Sequence, residues 1–221
     1  MPGIVARIKR LFRLRFAVLY PLGIYLVFFA TPDDASMRAG GAFLMAGLLM
    51  RLWSNGYAIK LDKLTTSGPY AFVRNPLYVG TALILVGFIV MLKVLLVGAA
   101  FFIVLAAVYA RTIRNEETML SEKFGVAFLD YRSRVPAMWP TVFPYAAGEK
   151  WPFSMDRLWY SREHKVVLWV AIIVIGFHVK EELLIEGNGF NTKIVAVMVL
   201  AGLLALLDLW GEYIRYCQKK A

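Results

Sequence analysis

The sequence predicts an all-α, polytopic membrane helix bundle of about six transmembrane helices, with a polar rim at its cytoplasmic end. Three observations lead there. The 221 residues are 60% hydrophobic and only 18% charged, with a mean hydropathy of +0.62, too little polar surface for a soluble domain of this size. Apolar runs recur six times along the chain. The segments between them alternate between rich and poor in Lys and Arg, as a chain crossing a bilayer repeatedly requires.

The apolar runs fall at 16–30, 40–59, 77–92, 94–110, 166–179 and 194–210. A crossing helix needs ~20 residues, so several runs must borrow flanking residues. Arg7, Lys9, Arg10, Arg13 and Arg15 precede the first run, but Phe28-Phe29-Ala30 lacks the small-x-small pattern of a cleavage site. It reads as an uncleaved span. In the second run, Arg51 is expected to snorkel to the interface. The third and fourth runs form one stretch of 34 residues, 77–110, broken only by Lys93. As one helix it would measure about 51 Å against a ~30 Å hydrocarbon core, so it must fold back near Lys93. The fifth run is short and closes on Lys180, Glu181 and Glu182. In the sixth, Asp208 is costly against lipid and is expected to turn inward.

Orientation follows from the basic residues. The N-terminal arm has five, the segment after the second run has Lys60, Lys63 and Arg74, and the segment 111–165 has nine. The tail ends with Arg215, Lys219 and Lys220. The intervening connections carry Asp33, Asp34 and only Arg38, then Lys93 alone, then Lys180 and Lys193 against three glutamates. Both termini are therefore expected in the cytoplasm. The net charge of +10 lies beside apolar runs, which argues against a nucleic-acid partner and for membrane lipids. One cysteine, Cys217, rules out an internal disulfide framework, and His164 and His178 are too few for a catalytic zinc, so no metal site is expected. Residues 1–221 read as a single domain.

The 55 residues of 111–165 are too long for a plain connection, which marks them as functional. Their aromatics suit a membrane interface, those from Trp151 onward as a simple belt. Two polar clusters frame the third and fourth runs. The first is Leu64-Thr65-Thr66-Ser67-Gly68-Pro69-Tyr70, continued by Arg74-Asn75-Pro76-Leu77-Tyr78-Val79-Gly80. Pro76 suits the first turn of a helix, and Asn75 its N-cap. The exposed N–H groups and positive dipole end there favour a carboxylate or phosphate. The second cluster is Arg111-Thr112-Ile113-Arg114-Asn115-Glu116-Glu117, followed by Phe124-Gly125, Tyr131 and Val135-Pro136. Read alone, a Glu-Glu pair is a solvated helix face. The fold-back at Lys93 changes that reading, because it brings the two clusters together on one rim. Such a rim suits a ligand with an ammonium, a carboxylate and a flat apolar ring.

These two motifs, within residues 60–140, resemble the hallmark blocks of the isoprenylcysteine carboxyl methyltransferases. The double glutamate is shared with the related phospholipid methyltransferases. The resemblance implies an integral membrane methyltransferase that uses S-adenosyl-L-methionine at the cytosolic face. Its acceptor would be a lipophilic small molecule or lipid-modified molecule entering from the membrane. It carries cofactor contacts onto Asp62, Lys63, Leu64, Thr65, Tyr70, Asn75, Pro76, Leu77, Tyr78 and Glu116, with Arg74 and Glu117 as contacts or braces. The substrate-side arginine of the family falls at Arg111 or Arg114. Most members have histidine where this chain has Asn75, and two apolar spans (166–210) follow the second block where members usually end.

A carboxylate acceptor is already ionised at neutral pH and needs no base, whereas an amine must first lose a proton. Neither motif contains histidine, which favours the carboxylate, while the glutamates keep the amine open. Two other classes stay open: an NADPH-dependent membrane reductase on a related scaffold, and a non-catalytic membrane protein related to nitrogen-oxide metabolism factors. The reductase would need extra arginines for the cofactor's 2′-phosphate.

Overall fold

A computed structural model describes residues 25–26, 28–59, 63–185, 187 and 191–218. Among these the chain is all-helical: α1 (Asp34–Tyr57), α2 (Pro76–Met91), α3 (Leu95–Phe124), α4 (Val126–Arg134), α5 (Met155–Ser161), α6 (Glu163–Lys180) and α7 (Thr192–Gln218). A 3-10 turn, Gly68–Ala71, precedes α2, and a π turn, Glu181–Ile185, extends α6. Most of the first expected span, 16–30, lies outside the described residues.

α1 begins in a capping box. The Asp33 carboxylate accepts from the Ser36 amide at 2.8 Å, and the Ser36 hydroxyl accepts from the Asp33 amide at 3.0 Å, so two otherwise orphaned donors are satisfied. α2 packs antiparallel on α1 along its length, and glycines allow it. A Cβ on Gly47 would lie 2.7 Å from the Gly80 carbonyl oxygen, and one on Gly87 would lie 2.9 Å from that of Gly40. Small residues at matched seven-residue spacing let two backbones touch, as in membrane helix pairs.

The chain reverses where the sequence demands it. α2 ends at Met91, Lys93 adopts a left-handed φ of 54°, and α3 starts at Leu95. The Lys93 ammonium bonds the Asp33 carboxylate across the α1–α2 end, and the Ser36 hydroxyl donates to the Met91 carbonyl at 2.9 Å. The Lys93 bond, with the Ser36 amide second, holds the Asp33 carboxyl down at about 2.

α3 runs for 30 residues and carries the second cluster well past its apolar half. It breaks at Gly125 (φ 52°) and hands on to α4. Phe128, Tyr131 and Val135 are buried there under Leu64, Leu120, Phe124 and Tyr145. The chain then returns along the segment before α2. The Arg74 amide donates to Pro136, Asn75 to Ala137, Thr141 to Phe72 and Tyr145 to Ala71, at 2.8–3.2 Å.

Two charged residues within the helices resolve differently from one another. Asp208 turns inward as expected and pairs with Lys165 at 3.0 Å. Arg51 does not snorkel. Its guanidinium forks onto both carboxylate oxygens of buried Glu163 (2.9 and 2.7 Å) and onto the Thr81 hydroxyl at 2.6 Å, because α6 delivers a carboxylate to the α1–α2 seam. The aromatics of 111–165 also divide. Trp139, Phe143, Trp159 and Tyr160 are largely exposed, whereas Trp151 carries the Lys63 ammonium 4.2 Å above its ring.

By length and composition one described helix, α3, is able to cross a membrane by itself. The 16 residues of α2 reach only about 24 Å, and Ile194–Trp210 within α7 is likewise a shorter apolar helix. α3, α6 and α7 turn Leu95, Leu96, Ile103, Val104, Ile173, Val199, Leu203 and Leu206 outward, a far larger apolar surface than water tolerates.

Candidate active site

The N-terminal end of α2, the polar end of α3, and α4 with the strand-like return behind it enclose a cavity of about 210 Å³. Its wall is built from both sequence clusters. Lys63, Leu64, Thr65, Tyr70, Arg74, Asn75, Pro76, Leu77, Tyr78, Glu116 and Glu117 all line it. Asp62 lies outside the described residues. Arg111 and Arg114 are exposed on α3 and do not line this cavity. The cavity wall also includes Ala58, Ile59, Leu120, Phe128 and Tyr131. Tyr131 belongs to the second block, and Leu120 lies four residues beyond Glu116 on the same helical face, which is the signal for both. The end of α1 offers no such signal, because Ala58 and Ile59 read as ordinary span residues.

The two neighbouring glutamates do different things. Glu117 is buried, 8% exposed. It accepts from Arg74 Nε at 3.0 Å and Nη2 at 2.7 Å, with Arg132 3.6 Å away. Arg74 also donates to the backbone carbonyls of Arg132 and Val135, so one guanidinium fastens the approach to α2, α3 and the end of α4. Glu116 is only partly buried and accepts from the Tyr78 hydroxyl at 2.9 Å. It lines the cavity.

Asn75 holds the N-cap position of α2 without capping it: its side chain donates to the Ala137 carbonyl at 3.1 Å. The returning segment claims the amide, so the positive end of α2 meets the cavity uncapped, able to receive a carboxylate. Tyr70 sits on the 3-10 turn, which Tyr131 anchors by donating to the Tyr70 carbonyl at 2.7 Å. Burial first, and then the charge of Glu116, pushes the Tyr70 phenol well above its ordinary range. Burial likewise raises Tyr131.

Tyr78 belongs to two walls. Its ring, tilted against Tyr109 at 4.9 Å, also borders an apolar groove of about 170 Å³ between α2 and α3, with Ala82, Leu85, Phe102, Leu105, Ala106 and Met138. A polar chamber and an apolar groove thus meet at one side chain. Among the described residues no group of three or more His, Cys, Asp or Glu gathers as a metal site.

Residues 37–127 match the phospholipid methyltransferase family. Curated relatives include the cobalt-zinc-cadmium resistance protein CzcN of Cupriavidus metallidurans, 36% identical over 50% of this chain and 55% of that protein. The nickel-cobalt-cadmium resistance protein NccN of Alcaligenes xylosoxydans is 37% identical over 49% and 54%. The protein-S-isoprenylcysteine O-methyltransferase of Mus musculus is 36% identical over 39% of this chain and 29% of that enzyme. The chain thus spans about half the length of the first two relatives and less of the third. No solved structure matches it. The matched segment contains α2, α3, nearly all of α1 and every described cavity residue between Ala58 and Leu120, and it is through this segment that the chain is similar to the phospholipid methyltransferase family and to isoprenylcysteine O-methyltransferases.

Proposed function

We propose that the chain transfers a methyl group from S-adenosyl-L-methionine to an isoprenoid- or lipid-like acceptor, at the cytoplasmic face of a membrane that it crosses about six times with both termini inside. The observation that carries this reading is Tyr78, shared between a polar chamber fit for a charged cofactor and an apolar groove fit for a hydrocarbon chain. The donor set suits the cofactor: Glu116 for its cationic amino group, the uncapped start of α2 for its carboxylate, and Leu64, Leu77, Leu120 and Phe128 for its ring. When bound, the cofactor supplies a methyl group made electrophilic by a sulfonium.

The chain's own part is alignment and exclusion of water. Tyr78 fixes the Glu116 carboxylate at the junction, Arg74 and Glu117 hold the chamber's three walls in register, and the groove keeps the acceptor's hydrocarbon beside them. No histidine borders either cavity, which favours an acceptor such as a carboxylate that needs no base. The outward apolar faces of α3, α6 and α7, and the alternation of basic segments, support the multi-pass placement. Arg111 and Arg114, exposed beside the chamber, would steer an anionic acceptor toward it.

Calorimetry of detergent-purified protein tests the reading. Saturable binding of S-adenosylmethionine or S-adenosylhomocysteine is expected; binding of NADPH with no response to either would refute it. Incubation with methyl-labelled cofactor and lipid extract, read by mass spectrometry, would then identify the acceptor.

A further inference from the structure

Behind the Ala58–Ile59 wall of the chamber lies a second opening, a cleft of about 610 Å³ between the end of α1 and α5. We propose that this cleft binds a phosphate-bearing anion, supplied by the headgroup of a membrane phospholipid. Among the described residues its lining includes Lys63, Arg157, Trp151, Asn55, Tyr160 and Ser161: two cations and polar donors, with no carboxylate among them. Glu149 pairs with Lys63 at the rim, at 3.2 Å, with both side chains more than half exposed, a contact weak enough for an incoming phosphate to displace.

Arg157 is placed for the purpose by the fold. Ser154 caps α5, and the Arg157 Nε donates to the Gly56 carbonyl at 3.0 Å while Nη2 bonds Pro152. These bonds hold the guanidinium against the end of α1 with one edge still uncommitted among the described contacts. As a bare helix lock, Arg157 would do as well on a closed surface; here it borders an open cleft opposite a second cation. The indole Nε1–H of Trp151 is buried with no acceptor among the described residues, a costly state for a donor. Exposed Tyr160 lines the opening, a residue type that settles at headgroup depth. Fork-shaped guanidinium and a point-charge ammonium are the pair that phosphate recognition uses.

Lys63 also lines the chamber. Any coupling through this shared side chain is reciprocal, each ligand changing the other's affinity by the same factor.

The test titrates short-chain phosphatidylglycerol, short-chain phosphatidylcholine and inorganic phosphate into purified protein, reading tryptophan fluorescence. Saturable binding of phosphatidylglycerol is expected, weakening as salt rises. Arg157→Gln, which keeps a donor for Gly56, should lower that affinity by at least about tenfold, and Arg157→Lys should restore most of it at equal thermal stability. Inorganic phosphate competing as well as the lipid would make the source a soluble phosphate. No binding of either anion, wild-type affinity indifferent to salt, or equal affinity in Arg157→Gln would overturn the site. S-adenosylhomocysteine binding, measured on the same samples, reports separately on the methyltransferase reading: a protein that binds it but no phosphate refutes only the cleft.

Discussion

Glu116 and Glu117 are adjacent in sequence and chemically identical, and the structure divides their labour. Replacing each by Gln keeps its size and removes its charge. Glu116 faces the chamber with Tyr78 as its protein partner. Its charge-assisted bond to a cationic ligand contributes ~1.5–3 kcal/mol, so Glu116→Gln should weaken S-adenosylmethionine binding by roughly 10- to 150-fold. Thermal stability should hardly change. Glu117 presents the opposite case. It and Arg74 each keep about 11% of their side-chain surface, so the variant strands a guanidinium in a nearly dry site. Breaking a buried pair costs about 3–5 kcal/mol; Gln retains one acceptor, which places the loss near ~3 kcal/mol. Glu117→Gln should therefore unfold earlier and lose affinity only as its folded fraction falls. Calorimetry and melting curves on both variants, with Glu122→Gln as a control, decide the matter. Equal affinity for wild type and Glu116→Gln would refute the division, as would a melting loss in Glu116→Gln as large as in Glu117→Gln.

Further outcomes follow from other parts of the fold. Gly80→Ala would place a Cβ 2.9 Å from the Gly47 carbonyl oxygen and should destabilise by about 1–3 kcal/mol; Gly41→Ala, which meets nothing within 4 Å, should be neutral in the same melts. Asp33 is held at about 2, below its model-peptide value of 3.8, so its pairing stabilises the fold above that ordinary value and is lost as pH falls through about 2. Asp33→Asn should remove this component from the acid limb of the stability profile. In a Cys217→Ser background, cysteines at Asp34 and Lys93 should react with an impermeant thiol reagent from outside intact cells, and cysteines at the exposed positions Lys123 and Lys150 should react only after the cells are opened. Labelling of Lys123 from outside would reverse the orientation.

The reversal at Lys93 was legible because it is a question of length: a 34-residue apolar stretch has one charge at which to turn. The meeting of the two clusters followed from that reversal, and so did the presence of Glu116 beside Asn75. What the sequence did not disclose were contacts made by residues of ordinary type. Arg51 looks the same whether it snorkels or pairs, until α6 brings Glu163 to it from 112 positions away. Asn75 has the composition of a cap, yet its amide is claimed by the carbonyl of Ala137, in a returning segment that shows no periodicity of its own. The glycine pairs were visible as letters, but only the antiparallel register matches Gly47 with Gly80 and Gly40 with Gly87.

Tyr78 sets a limit on how this protein can be redesigned. Because one ring closes both the chamber and the groove, a substitution meant to admit a longer or bulkier acceptor there also disturbs the carboxylate that its hydroxyl steadies. On the proposed methyltransferase reading, acceptor preference and cofactor grip are thus tied at that position. They come apart on the opposite bank, at Phe102, Leu105 and Ala106, which border the groove alone. Changes in chain-length selectivity at no expense in cofactor affinity belong there, one helix turn at a time along α3.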